Sequence, residues 1–233
     1  SNHIGLNVAL NDEDAVKNIE IAVDNNIKYF TMGGANTYLK LISRFSDDVL
    51  IIPVVGSTME AKLAERAGAK LIICEGQESG GSIGGLSLFS LLPQVVDSVK
   101  IPVIAAGGVA DSRGMRAAFA LGAEGIQMGT RFLASKECSV IEEYKNRIIK
   151  AKDIDSLVIS RKIKRPTRVL KNKFAVNYLS KERKESDQKK LSKLVRGRLK
   201  LAVESDVDLG AMHAGEISGL INNIKSTKEI IED

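Results

Sequence analysis

The sequence predicts an α/β chain built from repeated strand–helix units, and three observations predict it. Six short apolar runs rich in β-branched residues recur between residues 4 and 132, helix-like stretches lie between most of them, and most runs end in glycine. Strands buried on both faces of a parallel sheet read as such near-continuous Val, Ile and Leu runs. Glycines at the carboxyl ends of strands let the backbone turn sharply or approach a ligand closely. Closed (β/α)8 barrels and open doubly wound sheets both bind ligands at that end, so the pattern alone leaves both architectures open. No G-x-G-x-x-G opens a helix after a strand.

Taken in order, the strands are expected at Ile4–Leu10, Lys28–Gly33, Val49–Gly56, Lys70–Gly76, Ile101–Gly108 and Gly125–Phe132. Helices are expected between them. Asp12–Asn25 opens with acidic residues suited to a helix N-terminus, and Ser57–Ala67 carries Glu60 in capping-box spacing from Ser57. Leu88–Val99 and Ser112–Leu121 read as two further amphipathic helices. After Phe132 the pattern changes to a helix over Lys136–Ala151, a basic, Pro-interrupted stretch over Arg161–Leu179, a polar helix near Ser186–Ser205 and a final helix around Ala214–Ile224. The charge bias of Lys181–Lys193 marks it as a candidate mobile linker.

A chain of 233 residues at 44% apolar and 27% charged has enough apolar surface for one well-filled core. Its only cysteines, Cys74 and Cys138, have neither a partner spacing for zinc nor a disulfide framework, which fits a reducing cytoplasm. No apolar run approaches the ~18 residues of a membrane span, and no signal sequence opens the chain. Ser1-Asn2 has the look of an expression-tag remnant. The net charge of +5 is concentrated: residues 161–200 hold sixteen Lys and Arg against Glu182, Glu185 and Asp187. Such a segment suits nucleic acid, an acidic carrier protein, a phosphorylated cofactor or simply solvent. Without aromatic interleaving, nucleic acid is not the expected partner.

The chemistry concentrates in two adjacent segments, Ile101–Val109 and Gly122–Phe132. Counted back from the last strand of a barrel, they are strands seven and eight, whose loops form the usual phosphate site of such barrels. Gly107, Gly108 and Gly129 expose backbone N–H groups, and Thr130 adds a hydroxyl.

Four stretches resemble the nitronate monooxygenase and FMN-dependent enoyl-ACP reductase II family: Pro53-Val54-Val55 with the following helix, Glu75-Gly76-Gln77-Glu78-Ser79-Gly80-Gly81, Ala105-Ala106-Gly107-Gly108-Val109-Ala110-Asp111 and Met128-Gly129-Thr130-Arg131-Phe132. A fifth, Ala214-Gly215-Glu216-Ile217-Ser218-Gly219-Leu220, resembles the family's closing helix. The resemblance implies a TIM-type (β/α)8 barrel with six of eight strands present, Ile4–Leu10 matching the third, and a C-terminal helical appendage. On this basis residues 1–135 are a partial FMN-binding barrel, 136–209 a basic helical appendage near the substrate mouth and 210–233 the closing helix. Six strands cannot close an eight-stranded barrel without leaving edges.

The resemblance further implies FMN bound non-covalently, with its phosphate near Gly107, Gly108, Gly129 and Thr130. Its ring falls to Asn7, Gly33 and Glu75, and Gly80, Gly81 and Ala106 complete the cofactor-binding set. In the reductase branch NAD(P)H reduces a trans-2-enoyl thioester on an acyl carrier protein; in the other branch a nitronate is oxidised with dioxygen. A non-catalytic flavin-binding protein is the alternative of another class. The expected partners are therefore a small-molecule or carrier-bound substrate, with no nucleic acid and no membrane; a homodimer is left open.

Two residues depart from the family pattern. Ser82 stands where the family motif Glu-(Ala/Ser)-Gly-Gly-His has its histidine, the base expected for nitronate chemistry, and a serine needs its own activating base to replace it. That makes Ser82 the candidate catalytic position, with a hydrogen-bonding role open to it. Glu216 stands where the family has glutamine, and an inward carboxylate would repel phosphate. His213, just before the closing helix, is a candidate substitute base. His3, Glu75 and Glu78 are weaker candidates, and Cys74 and Met128 read as packing residues.

Overall fold

Apolar alternation in the first half of the chain becomes a parallel sheet in the computed structural model, which describes residues 4–9, 15–33, 38–45 and 49–233. In chain order the elements are β1 (Gly5–Ala9), α1 (Ala15–Asp24), β2 (Tyr29–Gly33), α2 (Tyr38–Arg44), β3 (Leu50–Val55), α3 (Thr58–Arg66), β4 (Ile72–Glu75), β5 (Gly81–Ser82), α4 (Leu88–Val96), β6 (Val103–Ala106), α5 (Ser112–Ala120) and β7 (Gly125–Gln127). They continue with α6 (Thr130–Leu133), α7 (Glu142–Ile149), β8 (Ser156–Ile159), β9 (Thr167–Leu170), α8 (Lys173–Lys184), α9 (Gln188–Val195), α10 (Arg198–Glu204), a 3₁₀ helix over Glu216–Leu220 and α11 (Thr227–Glu232). Two compact units result: residues 1–75, 86–106 and 118–126, and residues 76–85, 107–117 and 127–233.

The first unit holds a six-stranded sheet in the order β1-β2-β3-β4-β6-β7. The pairings from β1 through β6 are parallel. Because the order follows the chain without reversal, there is no switch point, which removes the doubly wound alternative and leaves the sequential arrangement of a (β/α) barrel. Phe30, Met32, Ile72, Ile73, Cys74, Val103 and Ala105 are buried in the sheet, so Cys74 is a packing residue as expected. Helix α3 begins as its sequence indicates: Ser57 accepts the Glu60 N–H, while the Glu60 carboxylate accepts from Gly56 N, one residue before the cap. Helix α4 buries Leu88, Leu91, Leu92 and Val95, the i, i+3, i+4, i+7 stripe of a helix lying on a core. The acidic start expected for α1 lies outside the described residues, as do Ser1, Asn2 and His3.

The second unit departs from expectation in several places. Met128-Gly129 ends the last parallel strand at Gln127, and Thr130–Leu133 is a helical turn with Phe132 N donating to Gly129 O. The helix expected from Lys136 starts only at Glu142, because Lys136 N is bound to Lys225 O and Ile141 N to Val203 O. The basic stretch is not helical throughout: β8 and β9 form a hairpin, and with β5 a three-stranded antiparallel sheet in the order β5-β9-β8. Four-residue strands flanking a charged turn are too short to show a period. The polar helix splits at Gly197, whose φ of 74° breaks the helical path. The expected linker over 181–193 is ordered helix on both sides of Asp187, whose carboxylate caps α9. The closing helix is reduced to the 3₁₀ turn over Glu216–Leu220.

This unit has two apolar clusters. One gathers Tyr144, Ile148, Leu170, Ala202, Met212, Ala214 and Ile217; the other gathers Ile159, Val169, Phe174, Tyr178 and Leu191. Buried Asn172 joins the elements. Its Oδ1 caps α8 by accepting the Ala175 N–H at 2.8 Å, and its Nδ2 donates to Val207 O at 2.5 Å and Gly210 O at 2.7 Å. Asn172→Ala removes the cap and strands two buried carbonyls, and is expected to lower unfolding free energy by about 2–4 kcal/mol. Urea denaturation checks it; a loss below about 0.5 kcal/mol would show the carbonyls satisfied by other means.

Candidate functional site

Two turns at strand ends in the second unit carry the phosphate-type motif. Gly107 and Gly108 follow β6 with φ values of 78° and 82°, in the left-handed region that glycine enters without steric cost. A Cβ on Gly107 would lie 2.8 Å from Gly76 O and 3.1 Å from Ser79 N, so this glycine is required by the protein's own loop. Gly129 is different. Its φ is −103°, and a Cβ there would meet nothing within 4 Å, so neither strain nor packing requires glycine. It leaves open space beside the backbone. The amides of Gly107, Gly108 and Gly129 have no hydrogen-bond acceptor among the described residues. The buried Ser79 hydroxyl, beside Gly107, also lacks a partner there. Free amide donors and an open approach are what an anion needs. Thr130 is buried, and its Oγ1 accepts the Gly215 N–H at 2.9 Å, which leaves its proton to be donated to an anionic ligand.

The loop from Gly76 to Ile83 is held against the 213–216 segment at backbone distance. A Cβ on Gly80 would fall 2.7 Å from Ala214 Cα, and one on Gly215 would fall 2.6 Å from Glu78 O. Glu216 N donates to Glu78 O at 2.9 Å, and Ile83 N donates to Pro166 O at 3.1 Å. The side chain that ties these parts together is Arg168 on β9. It is buried, and its Nε donates to Gln77 O at 2.9 Å, its Nη1 to Ser156 Oγ at 2.8 Å, and its Nη2 pairs with Glu216 Oε1 at 2.8 Å. Burial pulls the guanidinium below its ordinary value, and the Glu216 and Glu78 carboxylates oppose that pull. It stays charged at any physiological pH. The concern that Glu216 would repel an anion is thereby answered: its carboxylate is engaged by a guanidinium.

Ser82 is exposed, and β5 pairs it with Thr167. Its hydroxyl forms no hydrogen bond to a base among the described residues, so nothing activates it. His213 lies beside the same turn. A Cβ on Gly81 would sit 3.2 Å from His213 Nδ1. Its backbone is pinned by the Tyr144 hydroxyl, which donates to His213 O at 2.8 Å, and by a bridge to Val169. Burial lowers the imidazole pKa to about 4.

Of the remaining expected residues, Asn7, Gly33, Glu75 and Ala106 lie in the first unit, and Gly80 and Gly81 in the second. Gly33, Glu75 and Ala106 are the last residues of β2, β4 and β6, and Glu75 is in register with Ala106. Asn7 is in mid-strand rather than at a strand end, and its Oδ1 accepts from Thr31 Oγ1 at 2.9 Å. Gly80 and Gly81 face Ala214 and His213, so their small size has a protein-packing cause. Sequence reading missed Arg168 and Tyr144. Thr167-Arg168-Val169-Leu170, a β-branched run after Pro166, was the available signal for the first. Among the described residues no group of three or more His, Cys, Asp or Glu is arranged to hold a metal ion, and no helix is long and apolar enough to cross a membrane.

Comparison with known proteins places this geometry. The chain is 42% identical to FabK from Thermotoga maritima, with a TM-score of 0.94 over 98% of this chain and 73% of that one. It is 25% identical to a nitroalkane oxidase from Streptomyces ansochromogenes, with a TM-score of 0.76 over 94% of this chain and 66% of that one. A curated relative from Rhodococcus jostii, (3aS,4S,5R,7aS)-5-hydroxy-7a-methyl-1-oxo-octahydro-1H-indene-4-carboxyl-CoA dehydrogenase, is 36% identical over 75% of this chain and 49% of its own length. The chain thus spans about half the length of that relative. The sequence profile of the nitronate monooxygenase family matches residues 2–233, and the chain belongs to that family.

Proposed function

We propose that the protein is an FMN-dependent oxidoreductase that uses NAD(P)H to reduce the double bond of a trans-2-enoyl thioester presented by an acyl carrier protein. The observation that carries this reading is the pair of glycine turns with unsatisfied amides, one of them open at Gly129. They fit a phosphate monoester, which Gly107, Gly108 and Gly129 would hold through backbone N–H groups and Thr130 through its hydroxyl proton. When bound, the flavin supplies the two-electron chemistry. The chain's own residues supply position: Arg168, bonded to Gln77 O and paired with Glu216, holds the loop that carries Gly80 and Gly81.

Two features favour enoyl reduction over nitronate oxidation. Similarity is higher to FabK, an enoyl-ACP reductase, than to the nitroalkane oxidase. Ser82, moreover, is exposed, and its hydroxyl is hydrogen-bonded to no base among the described residues. Nitronate oxidation is the second reading, favoured by the family's name and by Staphylococcus relatives, 38–39% identical over 54–62% of this chain, that are named probable nitronate monooxygenases.

A carrier-bound substrate also accounts for the basic segment. Arg161, Lys162, Lys164 and Arg165 are exposed on the β8–β9 turn. That turn leads directly into Pro166 and Thr167, which bond Ile83 and pair with Ser82. Acyl carrier proteins are acidic, so a basic rim next to the Gly80–Ser82 turn would steer them toward it.

Gly129→Val should weaken FMN binding about 10- to 100-fold by denying the phosphate charge-assisted backbone hydrogen bonds. The flavin-free protein should keep its stability within about 1 kcal/mol, since the new side chain enters open space. Fluorescence titration showing unchanged FMN affinity would move the phosphate elsewhere. In the activity itself, NAD(P)H consumption with an enoyl-carrier substrate should fall as salt rises from about 0.01 M to 0.1 M, as the Debye length shrinks from about 30 Å to about 10 Å. Crotonyl-coenzyme A should respond less, and Lys164→Glu with Arg165→Glu should reproduce the loss for the carrier substrate alone. Oxygen uptake with a nitronate, without NAD(P)H-dependent reduction of either thioester, would replace this reading with the second.

A further inference from the structure

An imidazole lies across the Gly80-Gly81 turn, and no hydrogen bond among the described residues employs it. We propose that His213 is the side chain that meets the substrate at this turn, its ring nitrogen donating a hydrogen bond to the carbonyl oxygen of the thioester, a role the exposed Ser82 does not take. The assignment rests on the enoyl-thioester reading of the site.

Placement carries the argument. The direction in which Gly81 would project a Cβ ends 3.2 Å from His213 Nδ1, 3.9 Å from Cγ and 4.0 Å from Cε1, so the ring covers the glycine face and any side chain at position 81 would displace it. The adjacent Gly80 and Ala214 touch backbone to backbone. Position 213 is therefore locked to the turn, and the flanking Met212 and Ala214 are fully buried. The Tyr144 hydroxyl and the bridge to Val169 fix its main chain from the other side. A ring held in this way is preorganised and loses little entropy on binding.

Its bonding state gives the role. Neither ring nitrogen has a hydrogen-bond partner among the described residues, and neither is one of the polar atoms sealed from solvent. A mostly buried imidazole left so is completed by water or by ligand. Burial alone depresses its pKa, so at neutral pH the ring is uncharged, with one N–H to donate. A neutral donor stabilises the negative charge that a thioester oxygen gains as its conjugated double bond is reduced, without adding a cation to the pocket. Glycine at both 80 and 81 leaves the space above the turn to the ring and to what it binds.

The test observes the ring directly. The chain has only two histidines, His3 and His213, so the His213 Cε1–H signal can be assigned by comparison with His213→Gln. Crotonyl-coenzyme A added to the FMN-loaded protein should shift that signal saturably. NAD(P)H-dependent reduction should fall about 10²-fold in His213→Ala, mainly in kcat, with FMN affinity unchanged. Partial recovery is expected in His213→Gln, which retains an amide donor. A signal unmoved by crotonyl-coenzyme A, or full turnover by His213→Ala, overturns the assignment. If the protein binds the thioester without reducing it, the enoyl-reductase reading fails, whereas a saturable shift still supports His213 as the contact.

Discussion

The site depends on one constraint, the backbone-to-backbone contact between the Gly76–Ile83 loop and the 213–216 segment. Gly80 lies against Ala214 and Gly215 against Glu78 with no room for a Cβ at either place. Close contact of this kind buries main-chain polar groups, which are costly unless satisfied. The segment meets that demand through Glu216 N to Glu78 O and Gly215 N to Thr130 Oγ1. Arg168 meets it from the third side by donating to Gln77 O. The antiparallel sheet β5-β9-β8 exists to bring that guanidinium there, since Gly81 on β5 is in register with Arg168 on β9.

The charge pattern follows from the same contact. A buried guanidinium needs a counter-charge, and a glutamine at 216 would supply only a dipole. Glu216 supplies the carboxylate at 2.8 Å. The two departures from the family pattern are therefore of different kinds. Glu216 is explained by its partner Arg168, whereas the serine at 82 removes an imidazole from the turn, and His213 sets one beside it from the neighbouring segment.

The parallel sheet was legible in the sequence because each strand is an apolar run, most with a glycine near the carboxyl end, and the structure shortens those runs by one to five residues without displacing them. The glycine turns were legible for the same reason. Asn7 was expected at the flavin ring from the family resemblance alone, and it lies at the centre of β1, as it does at the centre of the run Ile4–Leu10. The β8–β9 hairpin was not legible. Its strands are four residues each, and its turn is so basic that Lys and Arg dominate the local composition. The buried role of Arg168 was hidden for that reason: among sixteen cations, one that folds inward carries no distinguishing mark except its β-branched surroundings. The segment Ala214–Ile224 reads as helix in sequence, but only the 3₁₀ turn at Glu216–Leu220 forms, with its first amide bound to Glu78 O.

The central claim is that an anion is held by backbone donors at the two glycine turns, and amide hydrogen exchange measured by NMR with and without FMN tests it most directly. Exchange at Gly107, Gly108 and Gly129 should slow markedly when FMN is added, because amides now without acceptors would gain phosphate oxygens, while β8 and β9 amides keep their rates. Saturating flavin that leaves those three amides exchanging as before would contradict the account.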